Sequence, residues 1–487
     1  MTVLDANRPA STALRRLDEL PGPRGLPWLG NIFQYEPERF HLQLEEWCRE
    51  FGALFRLRAP GQQLLVVGDH ELVAAILRDR PDGFGRGRKI QEIGLEMGLG
   101  PGLFGANGDP WRAQRRMVMA GFRPAHVKGY FPSMLQVAQR LRGRWQTAAR
   151  ARQSIDLQAD LMRYTVDTIA GLAFGAEVDT LGSGDNVIQQ HLDKIFPTLS
   201  RRVLAPLPVW RWWRSATDRQ LEKSVVEVNV AVAEFVAQAR SRLTAEPDRR
   251  VNPRNLLEAM IVAADEPESG ITDAHVSGNV VTMLLAGEDT TANTLAWTIH
   301  LLWRHPAALA RATEELRQLA GDPAALTLEQ LARLDYVEAC LHESMRLKPV
   351  APLQPLQALH DLCVGDVQVP AGTVVISLLR RDSVSDDHLP RAEAFEPERW
   401  LTSEGELGHI ASSANRISTP FGAGPRICPG RYLAMIEMKM ALAVLLGGFD
   451  IAGVDTPDGN EARERLAFVV GPVGLTMRLT ERVPPSP

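Results

Sequence analysis

The chain has 487 residues, 45% of them hydrophobic and 23% charged, which excludes disorder as the main state and allows a large core that can enclose a prosthetic group. Lys and Arg number 54 against 59 Asp and Glu, a formal charge of −5, so no global basic field is present to hold nucleic acid. Four cysteines without short paired spacing (Cys48, Cys340, Cys363 and Cys428) write neither a disulfide framework nor a zinc site, and a reduced, cytoplasmic compartment is expected.

Residues 1–19 carry Arg8, Arg15, Arg16 and several acids without an apolar stretch, so they are expected to be flexible and to form neither a signal peptide nor an anchor. No apolar run elsewhere approaches the ~18–20 residues of a membrane span, and a soluble protein is expected. Prolines and glycines between Leu20 and Gly30 force extended, turning backbone that reads as a lead-in strap. Apolar and polar residues alternate from Leu54 to Val67 around Ala59-Pro60-Gly61-Gln62, the pattern of a hairpin. From about Trp111 to Pro306 apolar residues recur three and four apart, as in 134–149 and 221–243, and the body is expected to be helical. Its longest segment starts at the capping pair Thr272-Asp273 and runs without proline to His305, about 33 residues or roughly 50 Å. Beyond Pro349 short strands and proline-rich turns return, followed by a helix over 431–446 and a strand pair around 466–479, with 481–487 as a frayed tail. The expected architecture is mainly α with small β-sheets, as a single domain over 20–480.

The most informative stretch is Phe421-Gly422-Ala423-Gly424-Pro425-Arg426-Ile427-Cys428-Pro429-Gly430. Its glycines and prolines make a rigid loop whose backbone can approach a ligand closely. A cysteine at the start of a helix gains from the positive dipole end and from unpaired amides, which lower its pKa and temper its donor strength, as an iron-binding thiolate needs. An isolated cysteine is more often a small buried hydrophobe, and the loop around this one is what reverses that reading. In the long helix, Ala286-Gly287-Glu288-Asp289-Thr290-Thr291 sets small residues, acids and alcohols at mid-length. That is either a packing notch or a groove opened by a hydroxyl turned back on the backbone. Glu343 and Arg346, and likewise Trp111 and Arg115, stand one helical turn apart, where each pair shares a face. Gly100-Pro101-Gly102-Leu103-Phe104-Gly105 satisfies a dinucleotide fingerprint literally, but the proline inside it and the lack of a strand-to-helix crossover argue for a plain loop.

Taken together and in this order, the motifs resemble those of the cytochrome P450 family, over roughly Leu20 to Thr480. The resemblance implies haem b between the long helix and the cysteine loop, with Cys428 as the proximal iron ligand and Phe421 shielding its sulfur. It assigns propionate binding to Arg426, Trp111 and Arg115, with Arg86 as a further donor. Thr290 would hydrogen-bond the oxygen and Asp289 relay protons. Glu343, Arg346 and Arg399, the last in Phe395-Glu396-Pro397-Glu398-Arg399-Trp400, would form a buried cluster that serves the fold. Candidate pocket linings are Phe104, Met283, Ala286, Val350, Leu353 and Val469, apolar residues suited to a lipophilic substrate. Trp210, Trp212 and Trp213 either border the entrance or pack a loop.

The implied activity is insertion of one oxygen atom of O2 into a C–H or C=C bond. The implied electron source is a separate ferredoxin- or flavodoxin-type donor with its NAD(P)H reductase, because the chain ends just after the last strand pair. Arg112, Arg116, Arg431 and Lys439 are candidates for a basic docking patch, with solvated charges as the plain alternative. The stretch from Phe51 to Gly129 is similar to the soluble bacterial fatty-acid hydroxylases, yet Gln62 and Val66 stand where that group's carboxylate-binding arginine and tyrosine are expected. Peroxide-driven oxidation or rearrangement on the same fold, and a haem-bearing sensor without turnover, are the competing readings. The acid-alcohol pair Asp289-Thr290 argues against the former and would have no role in the latter.

Overall fold

The structure is a computed structural model that describes residues 2–3, 13–175, 179–182, 187–205, 207–319, 325–402, 405–408 and 413–482. Helices form the body, and those that position the site are α1 (His70–Arg78), α2 (Gly108–Gly121), α3 (Pro124–Arg150), α4 (Leu157–Phe174), α5 (Asp273–Arg304), α6 (Asp335–Leu347) and α7 (Arg431–Gly448). The largest sheet holds β1 (Leu54–Ala59), β2 (Gln62–Val67), β3 (Phe84–Gly85), β4 (Leu353–Ala358) and β5 (Val374–Leu378) in the spatial order β1-β2-β5-β4-β3. The hairpin expected from the alternation is β1–β2, with Ala59 opposite Gln62 across the Pro60-Gly61 turn. Strand β5 joins β2 in parallel and β4 antiparallel, so segments some three hundred residues apart close one sheet. The proline strap lies on β1, where Pro21 accepts a hydrogen bond from the Arg56 amide at 2.9 Å.

The long helix α5 has 32 residues and begins at a capping box between Thr272 and His275. Residues Thr291–His300 are buried on every face although half of them are polar, and Asn293, Thr294 and Thr298 meet burial by donating back to helix carbonyls. It packs against α4, and the contact is close: a Cβ on Gly287 would fall 2.2 Å from Ile169 Cδ1. The notch reading of this glycine therefore holds. Side chains from α3, α4, α5 and α7, among them Trp145, Tyr164, Trp297 and Leu442, share the main hydrophobic core.

Two boundaries differ from the sequence reading. The last strands are not one pair: β7 (Glu464–Leu466) pairs with β8 (Val470–Pro472), whereas β9 (Thr476–Glu481) pairs with β6 (Phe449–Asp455). Strand β6 begins directly after α7, so the apolar pattern of the helix runs into it and conceals it. At the other end, part of the segment expected to be flexible is tied down. Arg15 pairs with Val367 as a strand, and its guanidinium grips Asp366 through bonds of 2.6 and 2.8 Å. Residues 4–12 and 483–487 lie outside the described residues.

Glu343 and Arg346 are fully buried on α6. Arg346 donates to both carboxylate oxygens at 2.8 and 2.7 Å, Arg399 Nε adds a bond of 2.9 Å, Trp400 Nε1 one of 2.8 Å and the Glu396 amide one of 2.9 Å. Arg346 also donates to the carbonyls of Ser383, Ala392 and Ala394. The cluster thus ties α6 to the chain between β5 and the cysteine loop. A second buried network escaped the sequence reading: Arg380 is clamped between Glu45 and Glu464, and Glu464 also receives His41 and Lys348. Among the described residues no cysteine is paired, and no helix is long and apolar enough to cross a membrane.

Candidate active site

The loop before α7 takes its shape from close backbone contacts. Gly424 has φ +69°, and a Cβ there would sit 2.6 Å from the Leu77 carbonyl oxygen at the end of α1, so only glycine lets the loop close on that helix. The Cys428 amide donates to the Phe421 carbonyl at 2.9 Å, which brings the two ends of the loop together, and the Phe421 ring packs on the main core. The amides of Gly430 and Arg431 hydrogen-bond the Cys428 sulfur. Burial pushes the thiol pKa up, while these two amides and the cations Arg115 and Arg431 pull it back. A metal ligating the sulfur would remove the proton outright.

Around the loop the structure gathers the residues expected to hold the carboxylates of a prosthetic group. Arg115 Nη2 donates to the Ile427 carbonyl at 2.8 Å. The Arg426 guanidinium lies 4.8 Å from the centre of the buried Trp111 ring and donates to the Ala106 carbonyl. Arg86 covers the Phe104 ring at 4.1 Å. Desolvation lowers the pKa of Arg86 to about 10, and desolvation together with Arg86 and Arg115 lowers that of Arg426 to about 9. Desolvated cations gathered in one place call for an anion between them. Arg426 Nε is moreover buried without a partner. A group with a thiolate-binding centre and two carboxylates meets both demands, so the residues present fit haem. Arg80, which no sequence motif singled out, belongs to the same cluster through its coulombic coupling to Arg86 and Arg426.

On α5, Thr290 Oγ1 donates back to the Ala286 carbonyl at 2.7 Å, and both side chains are open to the space beside the helix. Gly287 forms the packing notch against α4, while Thr290 makes the back-bonded hydroxyl on an uninterrupted helix with Ala286 exposed beside it. Asp289 is half-buried beside them. The Gly100–Gly105 segment lies on α5, with Leu103 N donating to Asn279 Oδ1 at 3.0 Å and Pro101 against Gly278. It is a loop over the helix, as expected, and no nucleotide turn.

Of the candidate linings, Phe104 meets Phe468 in the β7–β8 turn at 5.8 Å between ring centres, Val469 follows Phe468, and Val350 accepts from the Val470 amide at 2.8 Å. Met283 and Ala286 come from α5. Leu353 is half-buried and packs on the sheet core beside Phe55 and Ile376. Trp212 and Trp213 are about three-quarters exposed (73% and 76%), whereas Trp210 is held by Glu96 and covered by Arg202. Gln62 is exposed at the hairpin end, and Val66 is buried in the sheet core.

The basic patch needs correction. Lys439 is buried, pairs with Glu338 and donates to the Leu331 carbonyl, because α7 presents that face to α6. Arg112 is neutralised by Asp82 and Asp109. Arg116 and Arg431 remain exposed.

Comparison with known proteins agrees with this geometry. The cytochrome P450 family model matches residues 20–477. The chain is 29% identical, over 94% of its length, to the bifunctional cytochrome P450/NADPH–P450 reductase 2 of Bacillus subtilis, and covers 42% of that protein. It is 26% identical to the chloroplastic protein LUTEIN DEFICIENT 5 of Arabidopsis thaliana, over 86% of this chain and 71% of the other. Several of the curated relatives it matches are thus more than twice as long. The crystal structure of the cytochrome P450DA heme domain superposes with a TM-score of 0.81 at 25% identity, covering 97% of this chain and 99% of that one. On fold, on motif order and on the matched length, the chain belongs to the cytochrome P450 family, haem-containing oxidoreductases that incorporate oxygen.

Proposed function

We propose that the chain is a haem-thiolate monooxygenase that inserts one atom of O2 into a lipophilic small molecule by hydroxylation or epoxidation. The observation that supports the reading is the gathering of Arg115, Arg426 and Trp111 around the Cys428 loop, with Arg86 acting on Arg426. Haem, when bound, supplies the activation of dioxygen. Cys428 would ligate the iron, and Arg426, Arg115, Arg86 and Trp111 would hold the propionates. The amides of Gly430 and Arg431 temper the charge on the sulfur. The Thr290 hydroxyl, turning off the Ala286 carbonyl, can donate a proton into the cavity, and Asp289 beside it can resupply one. Phe104, Met283, Ala286, Val350 and Val469 keep the space apolar and water-poor.

Electrons would come from a separate ferredoxin- or flavodoxin-type protein with its NAD(P)H reductase, in the cytoplasm. Exposed Arg431, at the start of α7 directly after the cysteine loop, supports an acidic donor. With Gln62 and Val66 in place of a cation and a phenol, a neutral lipophile suits the site better than a free carboxylate. The deciding experiment is the carbon monoxide difference spectrum of the dithionite-reduced protein, wild type against Cys428→Ala. The strongly red-shifted Soret band that names the family is expected in the wild type and absent in the variant. A band typical of histidine ligation in the wild type would overturn the reading.

A further inference from the structure

We propose that Arg80 is an additional anchor for a haem propionate, supplied by the turn between α1 and β3 rather than by any of the sequence motifs. The inference rests on the haem reading above and deepens it. Arg80 is 4% exposed. Its Nη1 donates to Gln354 Oε1 at 3.2 Å, its Nε is buried without a partner, and among the described residues no carboxylate pairs with it. A buried guanidinium left with one neutral acceptor costs several kcal/mol unless something anionic meets it. Its surroundings add to the cost. Burial, then Arg86, then Arg426 lower its pKa, to about 8.

The acids nearest in sequence do not relieve it. Asp79 Oδ2 is itself buried without a partner, and Asp82 pairs with Arg112. Arg80 instead stands between the two supports of the propionate site. The end of α1, which leads into it, is the surface on which Gly424 of the cysteine loop rests. Gln354, which holds its Nη1, lies on β4, the strand that pairs with Phe84 and Gly85 just before Arg86. The unpaired Nε–H is therefore a donor held at a place where the fold has already gathered cations. The two carboxylates of haem are the anions that the reading of this site supplies, and charge-assisted bonds to them are stronger than neutral ones.

The test compares haem-loaded wild type, Arg80→Gln, Arg80→Lys and Gln354→Leu by the rate at which each passes haem to excess apomyoglobin and by the ferric/ferrous midpoint potential. Arg80→Gln is expected to lose haem on the order of ten- to a hundredfold faster and to show a lower potential, because a cation that favours the reduced centre is gone. Arg80→Lys keeps the charge but not the fork, so it should fall between the two in haem loss and stay near wild type in potential. Gln354→Leu should leave both readouts at wild-type values. If Gln354→Leu reproduces Arg80→Gln, Arg80 is a strut for the sheet and the proposal is overturned. Wild-type haem loss and potential in Arg80→Gln overturn it as well. Should that variant not fold, wild-type haem loss in Arg80→Lys does the same. A wild-type chain that takes up no haem would overturn the reading of the site itself, and this proposal with it.

Discussion

Replacing Glu343 with glutamine tests the buried cluster on α6 with almost no change of shape. The carboxylate accepts five hydrogen bonds, three at Oε1 and two at Oε2. An amide keeps one acceptor and turns the other position into a donor. Its less costly orientation places the NH2 at Oε2, where it faces the N–H groups of Arg346 and Trp400. Two bonds are lost, two donors are left opposed, and the charge that balances a fully buried arginine disappears. Breaking a buried pair in this way costs about 3–5 kcal/mol, a large share of the roughly 5–15 kcal/mol that holds a domain folded. The expected result of denaturant titration on the haem-loaded protein, followed by far-UV circular dichroism, is a midpoint shift equivalent to that loss. Any haem that the variant retains should give an unchanged carbon monoxide band, since the cluster touches neither Cys428 nor the cavity. A shift worth less than about 1 kcal/mol would refute the view that this carboxylate is the tie between α6 and the chain leading to the loop.

Two further outcomes follow from geometry at other sites. Against burial, which raises it, hydrogen bonding to His342 and the ion pair with Lys439 hold the Glu338 pKa down at about 2. Its folded value thus lies below the free value of 4.5, so the stabilisation is complete above about 4.5 and is lost as pH falls towards 2. Lys439→Met should lower stability at neutral pH by about 3–5 kcal/mol and move the acid-unfolding midpoint upward, read by circular dichroism against pH. In Thr290→Ala the substrate-induced spectral change should persist, while product formed per electron pair consumed falls by about tenfold or more. Unchanged coupling would take Thr290 out of the proton path.

What the sequence displayed was whatever lies within a few residues of itself. The cysteine loop, the cap at Thr272 and the turn-spaced pairs Trp111/Arg115 and Glu343/Arg346 are local patterns, and the structure keeps each of them. What it hid depends on contacts between distant segments. The clamp of Arg380 between Glu45 and Glu464 joins residues 335 and 84 positions apart. Lys439 looked like a surface charge because the register of α7 against α6 decides its burial, and no local spacing encodes that register. Arg80 was silent for a related reason: a lone arginine in a turn has no meaning until the fold removes its water and its partners.

The separation between the cysteine loop and the walls of the cavity has a consequence for how such a protein can be altered. The sulfur is placed by backbone contacts, Gly424 on Leu77 and Cys428 on Phe421, with no help from the cavity side chains. On the function proposed above, the walls would come from three pieces distant in sequence: the Phe104 loop, which meets Phe468, one face of α5, and the β7–β8 turn with Phe468 and Val469. Substitutions in these pieces can reshape what fits without disturbing the thiolate. A library confined to Met283 and Val469 leaves the Arg86–Phe104 contact in place, and its members can be sorted for intact iron ligation by colour before any product is sought.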